Sequence, residues 1–391
     1  MMQKPLRVVI AGAGVGGLAA AHELVHRLGD RVHVRLLEAA HELRPQLGAG
    51  FSLSGGLQCL RQIPALSDEL SKISSTPKLF RTVQEDGTLL ASFPAKDLVG
   101  DPPALAQFMR DELQLTLAKT LPDGLVECGQ RVVSVDKENR MLHTEKESDI
   151  PFDLLIGADG IKSHIRGEHF DKEWDREYSG LSMYYGVISN DEVKKHGDFR
   201  FQEGAITETV GKGNLQLSFQ CGPSRDWTFA YAYRCAEPPA DDEWATTDEA
   251  LREKMSEITK FSSRAMHFGI YHTPPRSVSW VNDRIVLLGD AAHATTPFMG
   301  QGANQAIQDA ACLGRLLSED LTQIDAALQE FYKIREPVTS RIIKNSKFAG
   351  QLRTADSFME RTLRSIAYRI MFARDGALFK RIYQAETKPV I

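Results

Sequence analysis

The sequence predicts an α/β protein, in which a helix-covered parallel domain carries an inserted antiparallel sheet and is followed by C-terminal helices. Three observations lead to this fold class. A glycine-rich turn joins an apolar strand to a helix near the start of the chain, apolar strands at 152–158 and 284–289 each end beside an aspartate, and residues 178–274 hold runs of alternating polarity. The length of 391 residues allows two to three domains.

The first pattern is a strand, a glycine turn, a helix and a second strand. The apolar run Leu6–Ile10 precedes the turn at 12–17, a helical stretch at 18–28 and a β-branched run at 32–37. This order is typical of the βαβ unit that binds dinucleotides, in which the helix N-terminus faces the phosphates. We therefore expect a Rossmann-like nucleotide-binding domain.

The glycines of this turn have separate expected roles. Gly12 allows the tight turn, Gly14 lets the backbone approach a pyrophosphate, and Gly17 lets the helix pack closely on the strand. Glu38 ends the second strand, where a carboxylate accepts hydrogen bonds from an adenosine ribose and disfavours a 2′-phosphate. The expected nucleotide is therefore FAD or NAD rather than NADP.

Composition and charge exclude several classes of protein. The chain has 47 basic and 52 acidic side chains, a net charge of -5, so no nucleic-acid partner is expected. Its 5 cysteines are scattered without a CxxC pair, which indicates no disulfide framework and no metal site and favours a reducing, cytoplasmic location. No stretch approaches the roughly 18 apolar residues of a membrane span, so no stable membrane association is expected.

Two later segments narrow the choice of nucleotide. The strand at 152–156 runs into Gly157-Ala158-Asp159-Gly160, and the strand at 284–288 runs into Gly289-Asp290-Ala291-Ala292-His293. The second segment continues through Thr296-Pro297-Phe298-Met299-Gly300-Gln301-Gly302-Ala303-Asn304 into a helix predicted at 302–318. Both are junctions of a strand with an aspartate-bearing loop.

These residues resemble the single-component FAD-dependent aromatic hydroxylases, a family that includes p-hydroxybenzoate and salicylate hydroxylases and tetracycline-inactivating monooxygenases. The likeness runs from Leu6 to about Ser346 and places the GxGxxG turn, the GADG segment and the GDAAHATTPFMGQGANQA segment in the family's order. Lesser matches are the stretch from Leu43-Arg44 to Gly48-Ala49-Gly50, and Met109-Arg110-Asp111-Glu112-Leu113.

The resemblance implies a role for each motif. Asp290 would accept hydrogen bonds from the ribityl hydroxyls of FAD, and backbone N–H groups at Gly300, Gly302 and Asn304 would face the N1–C2=O edge of the flavin. Asp159 would serve FAD and the docking of the nicotinamide donor. The implied cofactor-binding residues are Gly12, Gly14, Val15, Gly17, Glu38, Arg44, Gly50, Arg110, Asp159, Asp290, Pro297, Gly300, Gly302, Ala303 and Asn304.

The expected domains divide the chain discontinuously. The FAD-binding domain takes 1–72, 100–177 and 275–330, the substrate domain takes 73–99 and 178–274, and a helical tail takes 331–391. Residues 332–391 of the tail carry 13 basic and 5 acidic side chains. We interpret it as a solvated capping helix, with an anionic surface as the alternative, and expect Pro337 to kink or divide it.

The substrate domain supplies the candidate catalytic residues. Tyr185, Tyr231 and His272 are candidates for a base that deprotonates a phenol. Alternation places Trp227, Phe229, Tyr231 and Tyr233 on one face, either to stack on an aromatic substrate or to pack a core. Many family members have arginine at the position of Tyr185, so this departure argues against recognition of a small carboxylate there.

The resemblance implies a monooxygenase. NADPH or NADH, bound transiently, would reduce FAD, O2 would add at flavin C4a, and the resulting hydroperoxide would hydroxylate an aromatic or conjugated small molecule. Alternatives are N-oxygenation, epoxidation or Baeyer-Villiger insertion by the same cofactor, and a FAD-binding accessory protein without turnover. A monomer or a homodimer is expected.

His293 and Arg166 also belong to the resemblance but have structural interpretations. His293 stands in an apolar context at the entry of a helix, which favours a packed, hydrogen-bonded histidine over a catalyst. Arg166 is either part of the family pattern or an ordinary ion-pair residue, and neither interpretation is preferred from the sequence.

Overall fold

The computed structural model describes residues 4–43, 48–99, 104–172, 175–239, 261–274 and 278–391. The strands are β1 (Leu6–Ala11), β2 (Val32–Glu38), β3 (Gly50–Leu53), β4 (Ser74–Ser75), β5 (Leu79–Gln84), β6 (Leu89–Pro94), β7 (Ala106–Met109), β8 (Val126–Cys128), β9 (Val132–Asp136), β10 (Met141–Thr144), β11 (Ile150–Pro151), β12 (Leu154–Gly157), β13 (Glu177–Ile188), β14 (Ala205–Val210), β15 (Asn214–Cys221), β16 (Asp226–Arg234), β17 (Arg264–His272), β18 (Val281–Asn282) and β19 (Ile285–Leu287).

The helices are α1 (Val15–Leu28), α2 (Gly55–Leu60), α3 (Pro64–Lys72), α4 (Ala95–Val99), α5 (Arg110–Lys119), α6 (His164–His169), α7 (Asn190–His196), α8 (Asp290–His293), α9 (Gly302–Glu319), α10 (Ile324–Arg353) and α11 (Phe358–Thr387). A 3₁₀ turn covers Pro297–Met299.

The first sheet has the order β18-β19-β12-β1-β2-β8. Its strands pair in parallel except for β18, which is antiparallel at the edge. Strand β1 is almost wholly apolar after Arg7, and its last four residues are buried, as expected for a parallel strand that is covered on both faces. This sheet and helices α1 and α9 form the main core, which confirms the predicted Rossmann-like fold.

The second sheet has the order β17-β13-β16-β15-β14-β5-β6, and all its pairs except β14–β5 are antiparallel. Its hairpin β5–β6 comes from the segment expected at 73–99. We call the face that bears Tyr185 and Ala230 the inner face, and the face that bears Tyr184 and Tyr231 the outer face. The proposed domain boundaries remain predictions.

The two faces pack against different partners. The outer face forms a cluster with helix α7 that includes Tyr184, Ile188, Val193, Phe201, Trp227 and Phe229. The inner face packs Leu181, Met183, Ala232 and Ile270 with Phe298 of the 3₁₀ turn. The aromatics of β16 therefore share one face, as alternation predicts, and they build a core there.

The C-terminal helices differ from the expectation in two ways. Helix α10 continues through Pro337 instead of dividing, and the Thr339 hydroxyl donates to the Arg335 carbonyl (3.2 Å) nearby. Helix α11 packs one side, with Tyr368, against Val210 and Leu215.

The other side of α11 is apolar as well, with Met359, Leu363, Ile366 and Ile370 between 48% and 71% exposed. The solvated capping helix of the prediction is thus more apolar on its outer side than expected. Among the helices that the structure describes, none is both long and apolar enough to cross a bilayer.

Candidate functional site

The glycine turn between β1 and α1 leaves open space beside Gly14. Gly12 has a φ of 105°, and a Cβ there would collide with the carbonyl oxygen of Ala158. A Cβ on Gly17 would collide with the carbonyl oxygen of Gly12, whereas a Cβ on Gly14 would meet no atom within 4 Å. The geometry therefore fits the three predicted roles, with Gly14 beside the space for a pyrophosphate.

Glu38 closes the same turn from the end of β2. Its two carboxylate oxygens accept hydrogen bonds from the N–H groups of Ala13 (2.8 Å) and Ala40 (2.8 Å). A carboxylate has about four acceptor positions, so Glu38 retains capacity for ribose hydroxyls. The arrangement fits an adenosine at this edge of the sheet, and Val15 begins the helix beside it.

Asp159 follows the next strand, β12, and carries an unsatisfied oxygen. Its Oδ2 accepts from the N–H of Ile165 (3.2 Å), while its buried Oδ1 has no hydrogen-bond partner among the described residues. Burial raises the pKa of this carboxyl. A buried oxygen without a partner is unfavourable, so a ligand donor at this position would satisfy it.

Asp290 begins the short helix α8 at the end of β19. Its carboxylate is exposed, and the position of a Cβ on Gly302 lies 3.9 Å from Oδ1. The surrounding protein still removes enough water to raise the pKa of Asp290, although nearby His293 and Arg110 oppose the shift. The carboxylate therefore stands beside the N-terminus of α9, and its contact with the ribityl hydroxyls of FAD stays a prediction.

The N-terminus of α9 presents free backbone donors. The first intrahelical bond runs from the Gln305 N–H to the Gln301 carbonyl (2.8 Å), so the N–H groups of Gly302, Ala303 and Asn304 lack intrahelical acceptors. Gly300 precedes them in a left-handed conformation (φ 61°, ψ 29°), directly after the turn that starts at Pro297. These donors and the helix dipole favour the binding of a ligand whose nearest edge carries negative charge.

The Asn304 side chain has a role that the sequence did not indicate. Its Oδ1 accepts from the N–H groups of Ser54 (2.7 Å) and Gly56 (3.0 Å), and its Nδ2 donates to the carbonyls of Gly300 (2.8 Å) and Ser52 (3.2 Å). The side chain thus ties the start of α9 to the loop after β3, while the backbone N–H lacks an intrahelical acceptor.

Gly50 begins β3, and Arg110 directly follows its partner strand β7. Arg110 is exposed at the start of α5, with its Cδ 3.1 Å from the position of a Cβ on Gly48. Gly50 donates its N–H to Thr228 Oγ1 (2.7 Å) and accepts the Tyr185 hydroxyl at its carbonyl. The prediction for Arg44 falls outside the described residues.

The three catalytic candidates do not converge. Tyr185 lies on the inner face and its hydroxyl donates to Gly50, whereas Tyr231 pairs with Tyr184 on the outer face. The sheet therefore separates Tyr231 from Gly50, and the role of Tyr231 as a base stays a prediction. Burial also raises the pKa of Tyr185, which opposes its use as a base at neutral pH.

His272 lies at the end of β17 and is 1% exposed. Its Nδ1 donates to the Thr273 carbonyl (3.0 Å), and its Nε2 lies 3.6 Å from Glu177 Oε1. Glu177 in turn pairs with Lys347 of α10 (2.6 Å). His272 is therefore enclosed at the edge of the sheet and away from the contact between Tyr185 and Gly50.

Hydrogen bonds of His293 and Arg166 hold the short helix α8 in place. His293 Nε2 donates to Asp309 Oδ2 (2.6 Å), as the interpretation of a packed histidine predicted. Arg166 is 2% exposed and donates to the carbonyls of Ala291 (3.1 Å) and Ala292. Arg166 is thus a buried anchor for the backbone carbonyls of α8.

With this geometry in place, comparison with known proteins decides the family. The model of the FAD binding domain family matches residues 5–346. The chain belongs to this family. It is a FAD-dependent flavoprotein monooxygenase, and the predicted resemblance and cofactor are confirmed.

The similarity to known proteins covers almost the whole length of the monooxygenase. The 2-heptyl-3-hydroxy-4(1H)-quinolone synthase of Pseudomonas aeruginosa is 28% identical, over 97% of this chain and 97% of its own length. The 6-hydroxynicotinate 3-monooxygenase of Bordetella bronchiseptica is 28% identical, over 91% and 94%. HpxO of Klebsiella pneumoniae, solved with FAD and uric acid, has the same fold, with a TM-score of 0.82 at 22% identity over 98% and 96%.

Proposed function

We propose that this monooxygenase takes electrons from NADH or NADPH and uses O2 to hydroxylate an uncharged, largely apolar aromatic molecule. FAD, when bound, supplies the transfer of those electrons and of one oxygen atom. The residues of the chain hold the cofactor, orient the substrate and exclude water.

The observation that carries the substrate class is the apolar wall of the inner face. Leu217 and Ala230 stand opposite each other in the β15–β16 ladder, and Ala230 is opposite Tyr185 in the β16–β13 ladder. Phe268 and Phe298 pack against the same cluster as Ala230. Ala230 is partly exposed and has a small side chain between larger neighbours, so it is the part of this wall on which we expect a planar ring to lie.

Two arginines near this wall are already paired. Glu208 lies on the same face as Leu217, and its Oε2 is 2.9 Å from Arg353 Nε, while its Oε1 accepts the Tyr368 hydroxyl (3.0 Å). Arg264, at the start of β17, pairs with Asp111 (3.2 Å). Because breaking a partly buried ion pair is costly, neither cation is readily available to a substrate carboxylate.

Two relatives illustrate the choice of substrate class. One is named for a quinolone that bears a heptyl chain, and the other for a hydroxynicotinate. The inner wall fits the first type of molecule better, because a neutral ring with an alkyl chain can bury its apolar surface there without needing a cation.

The test is substrate-stimulated oxidation of the nicotinamide cofactor. The purified protein should be yellow, and it should consume NADH or NADPH faster with neutral 2-alkyl-4-quinolones than with salicylate, a carboxylate of similar ring size. Mass spectrometry after turnover under ¹⁸O2 should show one labelled oxygen in the product, and the product structure separates hydroxylation from N-oxygenation, epoxidation and ring insertion.

Three results would contradict this proposal. A colourless protein that FAD cannot reconstitute would refute the cofactor assignment for this chain. Stimulation by carboxylates alone would refute the substrate class. Absence of stimulation across a broad aromatic panel would favour a FAD-binding accessory protein without turnover.

A further inference from the structure

A buried ion pair lies directly behind the predicted flavin contacts. Asp309 of α9 and Arg335 of α10 are both 0% exposed, and Arg335 Nε is 2.8 Å from Asp309 Oδ1. The nearby cations lower the pKa of Asp309 despite its burial, so the carboxylate stays charged. Burying two charges is expensive, and apolar residues of the same size often stabilise a fold equally well. The cost of burying this pair points to a role beyond stability.

Asp309 reaches the turn that carries Asp290. Its Oδ2 accepts from the N–H of Gly289 (3.0 Å) and from Nε2 of His293 (2.6 Å). Gly289 and His293 flank Asp290 and the short helix α8, so one carboxylate oxygen fixes both ends of the four residues that present Asp290 to the site.

Arg335 reaches the other predicted flavin contact, the start of α9. Its Nη2 donates to Gln305 Oε1 (2.6 Å), and Gln305 Nε2 donates to Gln301 Oε1 (3.0 Å). Gln301 is the N-cap of α9 and is 3% exposed. The guanidinium therefore supports the residue from which the free N–H groups of Gly302, Ala303 and Asn304 follow.

We propose that Asp309 and Arg335 are positioning residues that hold Asp290 and the N-terminus of α9 in one fixed geometry for FAD. The inference rests on the proposed flavin contacts of Asp290 and α9. One ion pair connects the two predicted contacts, because Asp309 holds the turn that carries Asp290 and Arg335 supports, through Gln305, the residue that precedes the free N–H groups of α9. Loosening the pair misplaces both contacts, although neither residue touches FAD.

The decisive variant is Asp309→Asn, which conserves volume but removes the charge and one of the acceptor oxygens. The neutral amide cannot accept from Gly289, His293 and Arg335 together. We expect the Kd for FAD to rise at least tenfold. We also expect the midpoint potential of bound flavin to become more negative, because misplaced N–H donors stabilise the reduced flavin less.

Leu328→Ala is the matched control. Leu328 lies on α10 seven residues before Arg335, is 0% exposed, and packs in the main core, where its apolar side chain makes no hydrogen bond to the α8 turn. Its truncation creates a cavity that lowers the unfolding midpoint of the apoprotein. If Asp309→Asn acts only through stability, FAD affinity will fall equally in both variants at an equal loss of midpoint, and the inference is wrong.

Further measurements keep the test decisive. Arg335→Lys retains the charge but loses the fork that joins Asp309 to Gln305, and it should weaken FAD binding less than Arg335→Met. In the apoprotein, amide exchange at Gly289 should accelerate in Arg335→Lys, which remains measurable if Asp309→Asn does not fold. Unchanged exchange and unchanged FAD affinity in that variant would overturn the inference. Failure of the wild-type chain to bind FAD would instead refute the proposed function.

Discussion

At the scale of single residues, the glycines of the first turn show that one residue type serves unlike purposes. Gly14 has an extended conformation that any residue can adopt (φ -68°, ψ 175°), and open space surrounds the position of its Cβ. Gly17 has no such space, because its Cβ would meet the Gly12 carbonyl. The missing side chain at Gly14 thus leaves space that we expect a ligand to take, whereas the missing side chain at Gly17 allows close packing of the chain itself.

The pair Gly14→Ala and Gly17→Ala separates these purposes. Gly14→Ala should leave the unfolding midpoint of the apoprotein nearly unchanged but raise the Kd for FAD at least tenfold, because the methyl group occupies the space for the pyrophosphate. Gly17→Ala should lower the midpoint sharply. Calorimetry of the apoproteins and titration with FAD measure both effects, and a Gly14→Ala protein with wild-type affinity would contradict the placement of the phosphates.

Tyr185 offers a second test at this scale. Burial raises the pKa of its hydroxyl, which therefore stays protonated at all pH values below its ordinary pKa of 10 and donates to Gly50. Because the group does not titrate between pH 6 and 9, we expect Tyr185→Phe to leave the shape of the pH dependence of kcat/KM unchanged. Loss of one limb of that profile in the variant would restore Tyr185 as the base.

At the scale of elements, strand β16 separates a core from the proposed substrate wall by alternation alone. Phe229 points to the outer face and is 0% exposed, whereas the adjacent Ala230 points to the inner face and is partly exposed. The hydrophobic pattern of a strand predicts that its faces differ, but not which face meets the ligand, because that depends on the elements packed against each side.

Substitutions at these adjacent positions should have opposite consequences. Phe229→Ala should destabilise the fold by about 3–5 kcal/mol with little change in KM for the aromatic substrate. Ala230→Leu should raise KM at least tenfold without loss of FAD affinity, because the larger side chain fills the space for the ring. Denaturant unfolding and steady-state kinetics distinguish the two, and a large KM effect of Phe229→Ala would mean that the faces are assigned wrongly.

At the scale of the whole molecule, the sequence predicted the features that lie within one contiguous segment and missed the contacts between distant segments. The glycine turn, Glu38 and the Asp290 segment were recognisable because each lies within a contiguous motif. Helix α9 was likewise predicted to within a residue of its observed bounds.

The contacts that join distant segments carried no such signal. Asp309 and Arg335 are 26 residues apart on different helices, and Tyr185 meets Gly50 across 135 residues. A hint was present in the apolar setting of Asp309 within Ala-Ile-Gln-Asp-Ala-Ala, where a lone carboxylate requires a partner. The identity of that partner depends on tertiary packing, which a periodic pattern does not encode.

The same long-range assembly predicts how FAD affects stability. The predicted contacts come from residues 12–17, 38, 110, 159 and 290–304, so FAD binds only when these distant segments are folded together. At a free concentration of 100 times the Kd, FAD should stabilise the folded state by about 2.7 kcal/mol.

The stabilisation should reach both large sheets. Phe298 packs on the inner face of the second sheet, and its turn precedes the N-terminus of α9. The unfolding midpoints of the two sheets should therefore rise together. FMN, which lacks the adenosine that Glu38 and the glycine turn would hold, should give a smaller shift at equal concentration. Thermal unfolding is followed by near-ultraviolet circular dichroism, to which the Trp227 cluster contributes, and by far-ultraviolet circular dichroism. Two transitions of which FAD moves only one would show that the antiparallel sheet unfolds independently of the flavin site.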